Sequence, residues 1–297
     1  MKLSMVNGYA IDIGGTKTAA AKILSGVVVK RIIESTNRDL TLEGQLDAIE
    51  NLLKRLGWYR NDEVIGLSVT GRVSASGHWS AVNLDTMTEV NEAPLADIAR
   101  ERLGNVIVSN DASATTLAEF NFGAGQGANN FAYITVSTGI GGGLVVNGKL
   151  IQSKRGLAGH LGFSTVRDAT AECGCGRTGT SESISSGTAI ARMAAEEGYP
   201  DLTAKDVFDA FYAGEDWADK IIDRSARSLA ELCANLTALI DPDCIAIGGS
   251  VGLADGYIER VKAFVGKEPV LFQRPIVKAS MGSDGPLFGA LIQGKTS

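Results

Sequence analysis

One pattern of elements runs through the chain twice, and this repetition limits the folds open to it more than any other feature. Apolar runs at 9–13, 18–24 and 26–33, parted by Gly14-Gly15 and Ser25-Gly26, predict three short strands joined by tight turns. A helix is expected next. Leu42, Leu46, Ile49, Leu52, Leu53 and Leu56 recur at spacings of three and four, between a capping Thr41 and Gly57. A strand at 64–69, a helix from Pro94 to Gly104 and a strand at 105–109 running into Asn110-Asp111 and another helix complete a β-β-β-α-β-α-β-α order. From Asn130 the order restarts, with strands at 130–137, 142–146 and about 149–152. After an insertion of about 65 residues come a long helix at about 217–240, closed by Asp241-Pro242, and a strand at 243–247.

Two similar α/β halves need a long chain, and 297 residues supply two lobes of roughly 150 residues, each able to bury a core. The 36 glycines, about 12% of the chain against ~7% ordinarily, call for many turns or for backbone that approaches a ligand closely. A formal net charge of −6 excludes nucleic-acid binding through a general positive field, so no nucleic-acid partner is expected. Four cysteines, at 173, 175, 233 and 244, are too few and too uneven for a disulfide framework, which points to a reducing compartment, the cytoplasm. The first eight residues lack the apolar stretch of a secretory signal. The longest uncharged run, 131–146, is short and broken by four glycines, so no membrane partner is expected either.

Three glycine clusters carry the chemical signal. In Asp12-Ile-Gly-Gly-Thr-Lys17 a strand ends in an acid, and two glycines lead into a hydroxyl and an amine. Gly14 and Gly15 let backbone N–H groups converge on an anion, Thr16 adds a hydroxyl, and Asp12 is suited to hold magnesium through water. The segment matches neither the Walker A nor the Gly-x-Gly-x-x-Gly pattern, and in isolation reads more readily as an ordinary glycine-rich hairpin. The second half carries Thr135-Val-Ser-Thr-Gly-Ile-Gly-Gly-Gly143 at the equivalent place, and two such turns suit one polyphosphate. Gly248-Gly-Ser-Val-Gly252 follows a buried strand, which suits either contact with a nucleotide or close helix–strand packing. Asn110-Asp111, between a strand and a helix, reads from sequence alone as a helix cap.

Together the three clusters resemble those of the sugar-kinase, actin and Hsp70 superfamily. Within it, Asp12-Ile-Gly-Gly-Thr-Lys17 resembles the ROK (repressor, open reading frame, kinase) family, over nearly the whole chain. Ile134–Gly143, Gly156-Leu-Ala-Gly-His-Leu-Gly162, Cys173-Gly-Cys-Gly-Arg-Thr-Gly179 and Gly248–Tyr257 resemble the branch acting on N-acetylmannosamine. The resemblance implies an α/β, two-lobed ribonuclease H-like fold with a cleft between the lobes. The expected lobes are 1–121, joined by a C-terminal helix at about 285–297, and 122–284, with the insertion at about 153–216. It implies an ATP-dependent kinase with Mg2+, acting on a small-molecule sugar as a homodimer. Asp111 would be the base that takes the proton of the sugar hydroxyl, with Asn83, Asn110, His160 and Glu182 binding the sugar. ATP would be held by Asp12, Gly14, Gly15, Thr16 and Lys17, by Thr138, Gly139 and Gly141, and by Gly248 and Gly249. His160 stands where many family members have Glu, which favours the 6-hydroxyl of N-acetylmannosamine, in amino-sugar and sialic acid catabolism. Thr86, in the sugar loop 83–89, stands where that branch has a second Asn. This leaves open another hexose such as glucose or N-acetylglucosamine, or a catalytically weak sugar-sensing homologue.

The family's zinc pattern is incomplete. Cys173 and Cys175 are present, but Phe163 replaces the expected His and Thr180 the expected third Cys, so no structural zinc is expected. With the metal gone, looser order is expected at 164–180 unless packing around Phe163 replaces it.

Overall fold

A computed structural model describes residues 1–60, 63–82 and 90–293. Strand β1 (Gly8–Ile13) turns at 14–16 into β2 (Lys17–Leu24). Ser25 and Gly26, both at positive φ, then turn β2 into β3 (Val27–Ser35), the two-residue geometry that matches strand twist. Helix α1 (Leu42–Arg55) starts where the Thr41 hydroxyl accepts from the Gly44 N–H, and it buries the apolar stripe that its spacing predicts. Strand β4 (Ile65–Val69) is buried along its whole length, as suits a central strand. A small hairpin, β5 (Arg72–Val73) with β6 (Trp79–Ser80), follows; the apolar patterning does not foretell it. Then come α2 (Leu95–Leu103), β7 (Val106–Asn110) and α3 (Asp111–Phe122).

The second round is β8 (Phe131–Val136), β9 (Ile140–Val146) and β10 (Lys149–Leu150), then α4 (Glu182–Ser185), α5 (Gly187–Glu196), α6 (Ala204–Tyr212) and α7 (Asp216–Ile240). It ends with β11 (Cys244–Gly248), α8 (Tyr257–Val265), β12 (Ile276–Lys278) and α9 (Gly285–Ile292). Helix α7 stops at Asp241, which takes the left-handed conformation at φ 44° ahead of Pro242.

The two five-stranded sheets have one order, β3-β2-β1-β4-β7 and β10-β9-β8-β11-β12. In both, the first strand of the round pairs antiparallel with the second and parallel with the fourth. This is the ribonuclease H-like α/β plan that the resemblance implies, laid down twice.

The chain forms two compact units. One comprises 1–126, 149–158 and the segment from Ser283; the other comprises 127–148 and 159–282. Glycine content alone sets the division near 120–130 and leaves 149–158 in the second lobe, whereas these residues pack with the first unit. Each unit has its own core. In the first, Ile11, Leu53, Leu67 and Trp79 are fully buried; in the second, Ile134, Ile222, Leu229 and Ile247 are. Helix α9 belongs to the first unit and packs on α3, β4 and β1.

Candidate active site

In the first unit the two acids singled out by sequence stand at the ends of β1 and β7, and β4, which carries Ser68, runs between these strands. The Ser68 hydroxyl donates to Asp12 Oδ1 at 2.7 Å. Burial pushes the Asp12 carboxyl up to about 6, and the Ser68 hydrogen bond works against that shift. Asp111 is pushed up to about 7, first by burial and second by the negative charge of Asp12; the Ala112 N–H, at 2.7 Å from Oδ1, and Asn110 pull it back. A carboxylate poised near neutrality accepts and releases a proton at working pH.

Asn110 does cap α3, its Oδ1 accepting from the Ser113 N–H at 2.9 Å, yet it does more. Its Nδ2 donates to the Gly71 carbonyl at 2.7 Å and to Asp111 Oδ1 at 2.8 Å. Both amide hydrogens are therefore spent on fixing the loop after β4 and aiming Asp111.

The turn 14–16 has its carbonyls tied back. Gly14 O accepts from Thr36 Oγ1 at 2.8 Å, Gly15 O from Arg38 Nε at 2.5 Å and Thr16 O from Thr36 N at 3.0 Å. The Gly14 N–H closes the turn on Lys17 O, while the N–H groups of Gly15 and Thr16 have no acceptor among the described residues. A Cβ on Gly15 would stand in open space. Lys17 opens β2 with an exposed side chain. Carbonyls held away and N–H groups left over make an anion cradle.

The second unit repeats this arrangement with other partners. Ser137 O accepts from Gly187 N at 2.7 Å, and Thr138 O accepts from the hydroxyl and N–H of Thr188. The N–H groups of Thr138 and Gly139 again lack an acceptor among the described residues. Gly141 lies just beyond, in β9, paired with Thr135. Glu182, expected at the sugar, reaches this turn: its Oε2 accepts from the Ile140 N–H at 2.8 Å and would stand 2.8 Å from a Cβ on Gly139. Burial raises the Glu182 pKa, and that N–H opposes the rise.

Gly248 and Gly249 are explained by packing. Gly249 has φ +86°, and its Cβ would lie 2.3 Å from the Val136 carbonyl oxygen, so no other residue fits there; a Cβ on Gly248 would meet Tyr133 Oη at 2.8 Å. His160 is half-buried and stacks on Phe163, ring centroids 5.6 Å apart. Asn83 and Thr86 lie outside the described residues. Asp12, Ser68, Asn110 and Asp111 are thus drawn together in one unit, and Thr138, Gly139 and Glu182 in the other. Sequence reasoning missed Ser68, Thr36 and Arg38. The only signal for Ser68 is a hydroxyl inside an otherwise apolar strand.

Among the described residues no three His, Cys, Asp or Glu side chains converge to hold a metal. The thiols of Cys173 and Cys175 face each other, Thr180 is buried with its hydroxyl accepting from the Ser183 N–H, and Arg177 Nη1 donates to the Phe163 carbonyl at 2.5 Å. The loop thus has fastenings of its own, including Cys173 N–H to Arg177 O at 2.9 Å. No helix among the described residues is long and apolar enough to cross a membrane.

The model of the ROK family matches residues 8–296. Over 282 residues the chain is 38% identical to the N-acetylmannosamine kinase of Haemophilus influenzae (strain PittGG), with 95% of this chain and 93% of that protein covered. Among solved structures, the ROK hexokinase of Thermus thermophilus superposes with a TM-score of 0.81 at 29% identity, over 98% of this chain and 100% of that one. The ROK family glucokinase from Streptomyces griseus, in complex with glucose and AMPPNP, gives 0.82 at 26% identity, with the same shares covered.

Proposed function

The chain belongs to the ROK family, and we propose that it is an ATP-dependent kinase that phosphorylates N-acetylmannosamine at its 6-hydroxyl. The observation that carries the catalytic part is the Asp12–Asp111 pair, two half-buried carboxyls whose environments set their pKa values to about 6 and about 7. The Haemophilus relative supports the choice of sugar.

Asp111 accepts the proton of the sugar hydroxyl as that oxygen attacks the γ-phosphorus of ATP, and the bond to the β-γ bridging oxygen breaks. Asn110 keeps the accepting oxygen aimed. Asn110, through the lone pair that the Ser113 N–H leaves on its Oδ1, Asn83, His160 and Glu182 are the proposed sugar-binding side chains, Glu182 being held in this structure by Ile140 N–H. For the polyphosphate, the free N–H groups of Gly15 and Thr16 and of Thr138 and Gly139 are the natural donors, joined by Lys17 and Gly141, with Gly248 and Gly249 shaping the nucleotide's seat. Asp12 fits magnesium. It is a carboxyl beside the first phosphate turn that already needs a positive neighbour to stay ionised at low pH, and the cation would neutralise phosphate charge there. The reading also places the protein in the cytoplasm, as a homodimer in amino-sugar and sialic acid catabolism, on the support of family membership alone.

The test is ADP release with magnesium and ATP across N-acetylmannosamine, N-acetylglucosamine, glucose, mannose, fructose and allose, for the native chain and Asp111→Asn. Turnover with N-acetylmannosamine above all others, lost in the variant, is the expected result. A larger kcat/KM with another sugar moves the assignment to that sugar, and turnover that survives Asp111→Asn removes the base.

A further inference from the structure

The first unit holds a cleft of ≈ 530 Å³ whose lining includes neither Asp12 nor Asp111 and meets the candidate active site only at Asn110. Its walls are the 73–77 turn of the β5–β6 hairpin, the α2 residues Ala96 and Arg100, strand β7 with the first turn of α3, and the segment 151–158. Strand β7 is the last of its sheet, so the cleft runs along a strand with no neighbour on that side. All of these walls belong to one compact unit.

The lining has a definite chemistry. It carries two cations, Arg100 and Lys154, and no Asp or Glu, in a chain of formal net charge −6. A cationic lining is therefore not a sample of the general surface. Serine hydroxyls line three walls: Ser109 and Ser113 from β7 and α3, Ser153 from the segment 151–158, which accepts from the Ala158 N–H and keeps its own hydrogen, and Ser74 and Ser76 from the hairpin, which bond to each other and to His78. Ser109 is 1% exposed, and its Oγ has no hydrogen-bond partner among the described residues, although buried hydroxyls are ordinarily satisfied. Two cations and a set of hydroxyls match a phosphate group, whose oxygens accept charge-assisted hydrogen bonds; the only carboxylate paired with either cation among the described residues is the exposed Asp97, 3.8 Å from Arg100 Nη1. The volume falls in the range of small-molecule sites, about 300–1,000 Å³, and leaves room for more than an inorganic ion.

We propose that this cleft is a second ligand site, which takes a phosphate monoester of about hexose size. The ester's phosphate lies against Arg100, Lys154 and the serine hydroxyls, and its polyol body lies along the unpaired edge of β7. The site needs neither magnesium nor turnover, so its test is separate from that of the kinase reading.

The experiment is calorimetric titration of the full chain, without nucleotide or magnesium, at low ionic strength. The probes are glucose 6-phosphate, inorganic phosphate and unphosphorylated glucose. The expected result is saturable binding of the ester, weaker binding of phosphate, and none of glucose at the same concentrations. Lys154→Ala and Arg100→Gln should each weaken the ester about tenfold or more, since each removes a charge-assisted contact. Asp12→Asn, in the reaction site, should leave binding as it is. Arg100 also donates to the Val106 carbonyl, so its replacement can disturb β7 itself. The Lys154 variant, which loses only an exposed side chain, keeps the test decisive and should retain native kcat. Phosphate binding as tightly as the ester would refute the body contacts. Ester binding that is absent, unchanged in Lys154→Ala, or abolished by Asp12→Asn would overturn the site.

Discussion

The two sheets share an order and differ at one rung. In the first unit Asp12 of β1 lies between Ala19 of β2 and Ser68 of β4; in the second, the same rung holds Thr135 of β8 between Gly141 of β9 and Gly248 of β11. The turn that follows is built alike in both, with carbonyls tied back and N–H groups left to face an anion. The anion-binding turn is thus a property of the common plan. The capacity to handle a proton belongs to the first unit, where a carboxyl replaces a hydroxyl and a second carboxyl joins it from the first residue of α3.

The sharpest way to break that contrast is Asp111→Asn. It should lower kcat by about 10²–10⁴-fold, the usual worth of a positioned base. The same variant should melt higher at pH 8. A carboxyl whose folded pKa lies above its unfolded value of 3.8 favours the native state only while protonated; that contribution is lost as pH rises towards about 7. Removing the charge should return roughly 1–3 kcal/mol at pH 8 and a smaller gain at pH 5, where the unfolded carboxyl is already ionised while the native one is still protonated, read by thermal denaturation at both. Next in size is a pair of glycine substitutions. Gly249→Ala should cost roughly 2–4 kcal/mol, from a positive-φ position and a contact with the Val136 carbonyl. Gly15→Ala should leave stability within about 0.5 kcal/mol, since space there is open, and raise the KM for ATP. Equal melting temperatures for the two variants would mean that the glycines serve the two units alike. A third test is the pH profile. With a base whose pKa is about 7, kcat/KM should rise about tenfold per pH unit below that value and level off above it, and Asp111→Asn should flatten the limb. Ser68→Ala should remove about 1 kcal/mol of support from ionised Asp12 and shift its titration upward, measurable by carboxyl NMR. The smallest effect is expected from Thr135→Val, at the counterpart of Asp12 across the repeat, at no more than about threefold in kcat. An effect as large as that of Ser68→Ala would place proton chemistry in both units.

What sequence reading captures here is whatever the chain writes locally. Strand, turn and strand around Gly14-Gly15, the α1 stripe, and the end of α7 at Asp241-Pro242 all lie within a few residues of their own cause. Ser68 escapes because its partner, Asp12, is fifty-six positions away and becomes a neighbour only when β4 pairs with β1. Glu182 is legible as a functional carboxylate, but its hold on the Ile140 N–H is not, because the two are forty-two positions apart and the chain between them decides where α4 lies. Asn110 shows how two readings merge. The cap and the aiming of Asp111 are made by opposite ends of one amide. The crossover at 149–158 reads as the continuation of a strand because Leu150 and Ile151 are apolar, yet β10 stops after two residues and Ile151 lines the cleft.

The last helix also governs when the first unit can be finished. A Cβ on Gly289 would fall 1.7 Å from the Ala114 carbonyl oxygen, and one on Gly66 would fall 2.7 Å from the Ala290 carbonyl carbon, so α9 is seated directly on α3 and β4. During synthesis the ribosome delivers β1 to α3 early and α9 after every other described element. The second unit has all its own elements before then, while the first waits, with the faces of α3 and β4 that receive α9 uncovered. The order of completion is therefore the reverse of the order of translation, and the nascent chain is most in need of chaperone cover at the unit that carries the catalytic acids.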